Sequence, residues 1–331
     1  MTEPSPSLRR RTLLAGAALA ALPLPALAQA GDYPSRTVTV VNPWAAGGSS
    51  DSLARILAQR LSTDLGQAFV VENRPGATGT VGTGSVARAA PDGYTLLFGT
   101  NSTYGIAPHL IAGGLPYDNA RAFTGISLVA RSPQMLCVHP SVQARTLAEL
   151  IALAKANPGR LNFSTAGIGG TSHLATEMLM SMAGIEMVHV PYRGGGPSAQ
   201  ALLAGEVNVT FIDVITALPF IGDGRVRPIA VSTRARSALA PTVPTIDEAG
   251  LKGFESATDF AFLAPAGTPD PIIRKLHGAT VAALAVPEVR QKVDAAGLIT
   301  IAGSPAEWPA YLAAEVEKWG RIIRERNIRA G

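Results

Sequence analysis

The sequence is almost without cysteine, which limits the chemistry that the chain can carry. Its 331 residues include one cysteine, Cys137. An intramolecular disulfide and a Cys-x-x-Cys metal site are therefore both excluded. Cys137 lies in a short apolar stretch at residues 134–138, and this setting predicts a buried, unreactive thiol.

Charged and aromatic residues are also scarce. They make up 16% and 5% of the chain, with a formal net charge of +4. No cluster of lysines and arginines is interleaved with aromatic residues, so we expect no nucleic-acid partner. The chain contains no G-x-S-x-G, H-E-x-x-H or P-loop pattern, and these are the common motifs of hydrolases, zinc peptidases and NTPases. We therefore expect no catalytic residue, no bound metal and no cofactor.

A long hydrophobic run occurs only near the N-terminus. Three consecutive arginines beginning at Arg9 precede an apolar run from Leu13 to Leu27, and an Ala-x-Ala pattern ends at Ala28. This order is typical of a signal peptide, and a run interrupted by prolines is too short for a membrane-spanning helix of roughly 20 residues. We predict removal of residues 1–28 and a periplasmic mature protein, exported by either the Sec or the twin-arginine route.

Strand-like and helix-like stretches alternate along the mature chain, which predicts an α/β fold with mostly parallel sheets flanked by helices. Two similar units of strand, glycine turn and helix follow one another, and a late strand at 260–265 is expected to rejoin the first unit. We predict one lobe from residues 29–131 and 259–331, and a second from 132–258. Short strands at 127–130 and 135–138 should lie on either side of Arg131-Ser-Pro133, with hinges near 129–132 and 258–260. A ligand cleft is expected between the lobes.

Glycine turns follow several predicted strands, at the sheet edge where open α/β folds bind ligands. In the first turn, Ala46, Gly47 and Gly48 precede Ser49, a good residue for starting a helix. Exposed backbone N–H groups at a helix N-terminus attract an anion. The turn lacks the P-loop lysine and any G-x-G-x-x-G pattern, which favours a small organic anion over a nucleotide. An ordinary strand–loop–helix connection has the same local pattern.

Seven motifs, in order along the mature chain, resemble one family: the substrate-binding receptors of the tripartite tricarboxylate transporters, known as Bug-type receptors. The motifs are Tyr33-Pro-Ser-Arg-Thr-Val-Thr-Val40, Pro43-Trp-Ala-Ala-Gly-Gly-Ser-Ser-Asp51, Val71-Glu-Asn-Arg-Pro-Gly-Ala77, Ala90-Pro-Asp-Gly-Tyr-Thr-Leu96, Val190-Pro-Tyr-Arg-Gly-Gly195, Val243-Pro-Thr-Ile-Asp-Glu-Ala-Gly250 and Leu263-Ala-Pro-Ala-Gly-Thr-Pro269.

This resemblance implies a two-lobed periplasmic binding protein of the type II-like class that closes on its ligand. The implied ligand is a small carboxylate: a di- or tricarboxylate, an acidic amino acid or an aromatic acid. The implied partners are the membrane subunits of a transporter, and we expect the receptor itself to be a monomer without enzymatic activity.

The same resemblance implies the binding residues. One ligand carboxylate would lie on the backbone from Ala46 to Ser49. The chain departs from the family pattern at Trp44, which could be an aromatic wall of the site or a packing residue, and at Tyr104 and Ala107. The remaining implied ligand contacts are Asp51, Asn101, Ser102, Thr103, Gly169, Gly170, Thr171, His173, Arg193, Gly194 and Asp213.

Side-chain chemistry leaves the roles of four of these residues open. Asp51 would repel a bound anion, so it either orders the loop or meets a ligand ammonium group. Arg193 could hold a carboxylate bidentately or remain solvated. His173 could donate to the ligand or only satisfy its own loop, and Asp213 could bind a ligand hydroxyl or amine or hold a neighbouring loop.

Two other functions are compatible with the sequence. An exported α/β enzyme acting on a small acid would have a catalytic carboxylate or histidine with a strongly shifted pKa in the cleft. A carboxylate sensor would dock on a signalling partner only in its liganded form.

Overall fold

The computed structural model describes residues 33–111 and 113–329. The signal peptide predicted at 1–28 lies outside the described residues. The strands are β1 (Val38–Asn42), β2 (Phe69–Asn73), β3 (Thr95–Thr100), β4 (Phe123–Val138), β5 (Asn162–Thr165), β6 (Val188–Pro191), β7 (Val209–Asp213), β8 (Arg227–Val231), β9 (Ala257–Pro265) and β10 (Ile299–Thr300). The helices are α1 (Ser49–Leu65), α2 (Thr80–Ala87), α3 (Ala107–Leu110), α4 (Leu147–Ala156), α5 (Thr171–Ala183), α6 (Gly195–Leu203), α7 (Val214–Gly222), α8 (Asp270–Ala285), α9 (Pro287–Ala295) and α10 (Trp308–Glu325).

The described strands form one sheet in the order β2-β1-β3-β9-β4-β7-β5-β6, with β8 and β10 paired to β4. Pairing is parallel in two blocks, β2-β1-β3 and β7-β5-β6. These blocks are the two halves of the predicted two-lobed α/β fold. The strands between them pair antiparallel, because β9 brings the chain back to the first half.

The longest strand, β4, runs through both halves of the sheet. The prediction of two separate short strands is wrong, since β4 is one continuous strand of 16 residues. It pairs with β9 as far as Pro133, opposite Ala257, and with β7 from Gln134, opposite Asp213. Proline has no N–H to donate to a ladder, and Pro133 lies where β4 changes its partner. The lobe boundaries and the hinge positions stay predictions.

Helix α10 packs against the cores of both halves. Near its start, Trp308 and Leu312 pack with residues of β3 and β9 in the first half. Near its end, Trp319, Ile322 and Ile323 pack with residues of α5 and β7 in the second half. The C-terminal helix is therefore a third element, besides β4 and β9, that connects the two halves.

The prediction of a buried thiol at Cys137 is confirmed. Its side chain is fully buried, and burial raises the pKa of the thiol, which keeps it protonated and unreactive. Across residues 33–111 and 113–329, no helix has the length and apolar character needed to cross a membrane.

Candidate functional site

The loop between β1 and α1 is organised by one buried carboxylate. Asp51 Oδ2 accepts hydrogen bonds from the Gly47 N–H (3.0 Å) and from Arg55 Nε (3.1 Å), and Oδ1 accepts one from Asn73 Nδ2 (2.9 Å). Burial alone would raise the pKa of Asp51, but these hydrogen bonds outweigh burial and lower it. Asp51 therefore orders the loop as an ionised group.

The same loop presents backbone donors to solvent. Residues 45–48 are exposed, and Gly48 is the residue before the first turn of α1. Among the described residues, no side chain caps this helix, and first-turn N–H groups have no acceptor within their own helix. The N-terminus of α1 at Ser49 therefore offers amide donors and the positive end of a helix dipole to an anion.

Asp213 joins this loop to the second half of the sheet. The hydroxyl of Ser49 donates to Asp213 Oδ2, and the hydroxyl of Ser132 donates to Oδ1, each at 3.2 Å. Burial raises the pKa of Asp213 more than these two hydrogen bonds lower it. The end of β7 thus lies directly against the start of α1.

A second glycine loop, residues 166–170, meets the first half of the protein from the other side. Gly169 has a φ of +78°, and a Cβ atom there would lie 2.4 Å from Leu110 Cδ1. Only glycine allows this close approach. At the start of α5, the Thr171 and Thr258 hydroxyl oxygens are 2.6 Å apart. These contacts bring the second loop against α3 and β9.

His173 is buried behind this second loop. Its Nδ1 accepts a hydrogen bond from the Gly169 N–H (3.2 Å), and its Nε2 lies 3.5 Å from Glu177 Oε1. The ring therefore satisfies its own loop. Contact of His173 with a ligand stays a prediction.

Asn101, Ser102 and Thr103, which the resemblance implies as ligand contacts, lie at the start of a helical turn and not in an open loop. After β3 the chain passes into a π-helical turn at Ser102–Ile106, and all three predicted residues are buried. Asn101 Nδ2 donates to the Ala257 carbonyl, and Asn101 Oδ1 accepts from the Asp259 N–H. Thr103 donates to the Thr100 carbonyl at 2.7 Å. Asn101 therefore supports β9, and ligand contact by these residues stays a prediction.

Arg193 lies on an exposed turn between β6 and α6. Gly194 follows with a φ of +116°, and its N–H donates to the Ala166 carbonyl at 3.0 Å. This places Arg193 beside the second glycine loop. Within the described part of the chain, the structure assigns its guanidinium no hydrogen bond or ion pair, so its charge is available to an anion.

The structure also identifies polar residues that sequence analysis did not assign to the site. Gln134 lies opposite Asp213 in the β4–β7 ladder, so both side chains are on one face of the sheet. Ser132 and Thr258 are likewise opposite one another and contact Asp213 and Thr171 respectively. A signal existed in the alternation of Ser132 and Gln134 directly before the apolar residues 135–138 of the same strand.

The side chains of Gln134 and Trp44 bear on which ligands the site could bind. The Gln134 Oε1 atom is buried and has no hydrogen-bond partner among the described residues. The Trp44 indole donates to Thr100 Oγ1 (3.2 Å) and is only partly buried, so it packs on the first half and keeps an exposed face. Over residues 33–111 and 113–329, no group of three His, Cys, Asp or Glu side chains is arranged to hold a metal ion.

The chain is similar to receptors of one transporter class. A family model described as the tripartite tricarboxylate transporter family receptor matches residues 53–328. The protein BugT of Bordetella pertussis is 33% identical over 323 residues, which are 98% of this chain and 99% of BugT.

Two solved structures extend this similarity to three dimensions. Rpa4515 of R. palustris with adipate is 35% identical, with a TM-score of 0.81 over 90% of this chain and 100% of that one. MatC (Rpa3494) from Rhodopseudomonas palustris with bound malate is 33% identical, with a TM-score of 0.77 over 88% of this chain and 100% of that one.

Proposed function

Since this chain belongs to the Bug-type receptors of the tripartite tricarboxylate transporter family, we propose that it captures a small carboxylate outside the cytoplasm and delivers it to the membrane subunits of such a transporter. The family is one of solute-binding receptors. For this chain, the proposal includes cleavage of a signal peptide at 1–28, a periplasmic location and a monomeric receptor.

The uncapped N-terminus of α1 is the observation that carries the proposal. A carboxylate placed there would accept hydrogen bonds from the backbone of Gly48 and Ser49, while Asp51 holds the loop in shape from behind. Oriented amides and the helix dipole stabilise an anion without any cationic side chain. This arrangement binds a carboxylate and performs no chemistry on it.

Closure of the two halves is the proposed mechanism. The first half supplies the α1 loop, and the second supplies Thr171, Arg193, Gly194 and the end of β7. A ligand that contacts both halves binds the closed arrangement more tightly than the open one, and so shifts the population toward it. We place the hinge in β4 and β9 near 129–132 and 258–260, between lobes formed by 29–131 with 259–331 and by 132–258.

A dicarboxylate is the ligand best supported. Adipate and malate, found with Rpa4515 and MatC, both carry two carboxylates. In this chain, Arg193 would hold the second carboxylate with paired N–H donors, and the unpartnered oxygen of Gln134 would accept from a hydroxyl substituent. Tricarboxylates, acidic amino acids and aromatic acids are the other classes to test.

The substitution Gly48→Ala tests the site without disturbing the fold. A Cβ atom at Gly48 would meet nothing within 4 Å, and its φ of −82° suits alanine. A methyl group there would obstruct an anion that approaches the backbone. We expect at least a tenfold loss of affinity, with an unchanged melting temperature in the absence of ligand. Gly278→Ala, at an equally open position on α8, is the matched control.

The measurement is thermal unfolding of the mature protein against a panel of carboxylates, after refolding to remove any bound ligand. A specific ligand at 100 times its Kd stabilises the native state by about 2.7 kcal/mol. The proposal fails if no acid shifts the melting temperature, and the site assignment fails if Gly48→Ala binds as tightly as the Gly278→Ala control.

A further inference from the structure

Two histidine rings are stacked beneath the second glycine loop. His173 on α5 and His189 on β6 have ring centroids 4.1 Å apart and an interplanar angle of 13°. Phe163 of β5 stacks on the other face of His189 at 4.9 Å. His173 is buried and His189 is half-buried, so the pair supports residues 166–170 from inside the protein.

Each ring is bonded to one end of the loop. His173 Nδ1 accepts from the Gly169 N–H at the end that leads into α5. At the beginning of the loop, His189 Nε2 lies 2.7 Å from Thr165 Oγ1, which accepts a hydrogen bond from the Gly167 N–H at 3.3 Å. The loop conformation therefore depends on both imidazoles.

The contacts of His173 require its neutral form. A nitrogen that accepts a hydrogen bond carries no proton, so the ring proton is on Nε2, which faces Glu177. Protonation of Nδ1 would place one N–H donor against another at Gly169. The hydrogen bond that holds the loop would then be lost.

The charges nearest to the histidine pair are two glutamates and one arginine. Glu177 also accepts from Arg326 Nε (2.8 Å) of the segment after α10, and Arg326 forms two further bonds of 2.8 Å to Glu186. Arg326 thus shares its single positive charge between Glu177 and Glu186, which leaves a net negative charge beside Nε2 of His173.

The remaining neighbours of α5 present few charges. Glu325 of α10 accepts a hydrogen bond from Ser181 at 3.2 Å, and β7 and β9 face α5 with Phe211 and Thr258. Burial and the neighbouring His173 lower the pKa of His189 to about 4. Two rings stacked at 4.1 Å cannot readily hold two positive charges, so the two histidines are not protonated together.

We propose that His173, stacked on His189, is a positioning residue whose neutral form holds the loop of residues 166–170 in its ligand-binding conformation, so that acidification loosens the loop and weakens carboxylate binding. This inference rests on the proposed function, because Gly169, Gly170 and Thr171 are among the ligand contacts that the family resemblance implies. The receptor would then release its ligand more readily in an acidified periplasm.

The first test uses hydrogen exchange at the Gly169 amide in the full mature chain without ligand, measured by NMR. We expect the protection factor to fall at least tenfold between pH 7.5 and pH 5. In His173→Asn, the amide oxygen can accept from Gly169 at either pH, so its protection should change less than threefold. His139→Asn is the control, since the His139 ring bonds to Ser141 outside this cluster and the variant should behave as the wild type.

The second test compares malate affinity between the same three proteins at each pH, so that titration of malate itself cancels. Whatever its affinity at pH 7.5, His173→Asn should gain at least tenfold in malate affinity relative to wild type between pH 7.5 and pH 5. Equal protection of Gly169 in the wild type at both pH values would overturn the inference, even if the variant failed to fold. So would an undiminished pH effect in His173→Asn. Absence of binding to every carboxylate at pH 7.5 would refute the proposed function instead, because the exchange result does not depend on ligand.

Discussion

At the scale of single residues, two aspartates beside the same loop differ in the direction of their pKa shifts because their hydrogen-bond partners differ. Asp51 has a guanidinium, a side-chain amide and a backbone N–H around it, and the combined hydrogen bonds lower its pKa. Asp213 has only the hydroxyls of Ser49 and Ser132, so desolvation dominates and its pKa is raised. The first aspartate therefore loses its proton more readily than a free aspartate, whereas the second holds its proton more tightly.

The raised pKa of Asp213 predicts a pH-dependent contribution to stability. The native state binds this proton more tightly than the unfolded chain, whose aspartates titrate near 3.8. The contribution is therefore present at low pH and is lost as the pH rises through the native pKa. Asp213→Asn removes this dependence, so the variant should gain stability relative to wild type between pH 4 and pH 7.

Urea unfolding of both proteins at the two pH values measures this difference, since all other titrating groups are common to both. Thr258→Ser, which keeps a hydroxyl on the same face of the sheet, is a control that should show no change in pH dependence. A stability difference between Asp213→Asn and wild type that is the same at pH 4 and pH 7 would contradict the prediction.

At the scale of elements, the junction of β4 and β9 contains an arginine that is paired with two carboxylates. Arg131 Nε and Nη2 donate to the two oxygens of Asp259 at 2.6 and 2.9 Å, and Nη1 donates to Glu255 at 2.7 Å. Asp259 is only 2% exposed and also accepts from the Tyr311 hydroxyl at 2.8 Å. This junction lies where we place the hinge, so closure has to preserve the pair.

Arg131→Met leaves the Asp259 carboxylate buried without its cation. Removal of one partner from a buried ion pair costs roughly 3–5 kcal/mol, and we expect a loss of that size in the free energy of unfolding, measured in urea. Arg290→Met is the control, because Arg290 and Asp294 are exposed and 3.9 Å apart. Its effect should be less than about 0.5 kcal/mol. A loss below about 1 kcal/mol for Arg131→Met would contradict the prediction, because it would mean that other groups stabilise the buried Asp259 carboxylate.

At the scale of the whole molecule, α10 links the two halves through the side chain of Glu315. Trp319 is completely buried in the core of the second half, and its indole donates to Glu315 Oε2 at 2.7 Å. The same oxygen accepts from Asn101 of the first half at 3.1 Å. Together with β4 and β9, this linkage predicts that both halves unfold together.

The wild type should therefore show a single urea transition, with coincident midpoints by tryptophan fluorescence and far-ultraviolet circular dichroism. Trp319→Ala should lower the stability by roughly 3–5 kcal/mol, the usual cost of truncating a buried aromatic residue. Met182→Ala, at a 39%-exposed position of α5, should change it by less than about 0.5 kcal/mol. Separate transitions in the wild type would contradict the predicted coupling.

Much of the fold could be predicted because its elements carry local signals. Thr146 precedes α4 and accepts the capping hydrogen bond from Glu149, as its residue type suggests. The α1 loop was predicted from Gly47 and Gly48. By contrast, Arg131 and Pro133 suggested a break, because proline usually interrupts a strand. Pairing with β9, more than 120 residues later, makes the strand continuous despite that local preference.

The candidate site likewise combines local features that the sequence predicts with long-range contacts that it does not predict. Glycine turns, helix starts and a buried Cys137 follow from short stretches of sequence, because backbone freedom, capping and hydrophobicity are properties of neighbouring residues. The contact of Ser49 with Asp213 joins residues 164 positions apart, and the stack of His173 on His189 joins two different elements. Such contacts depend on strand order and register, which no local pattern encodes. Tertiary structure alone therefore decided which polar side chains meet, and which of them hold the loops in place.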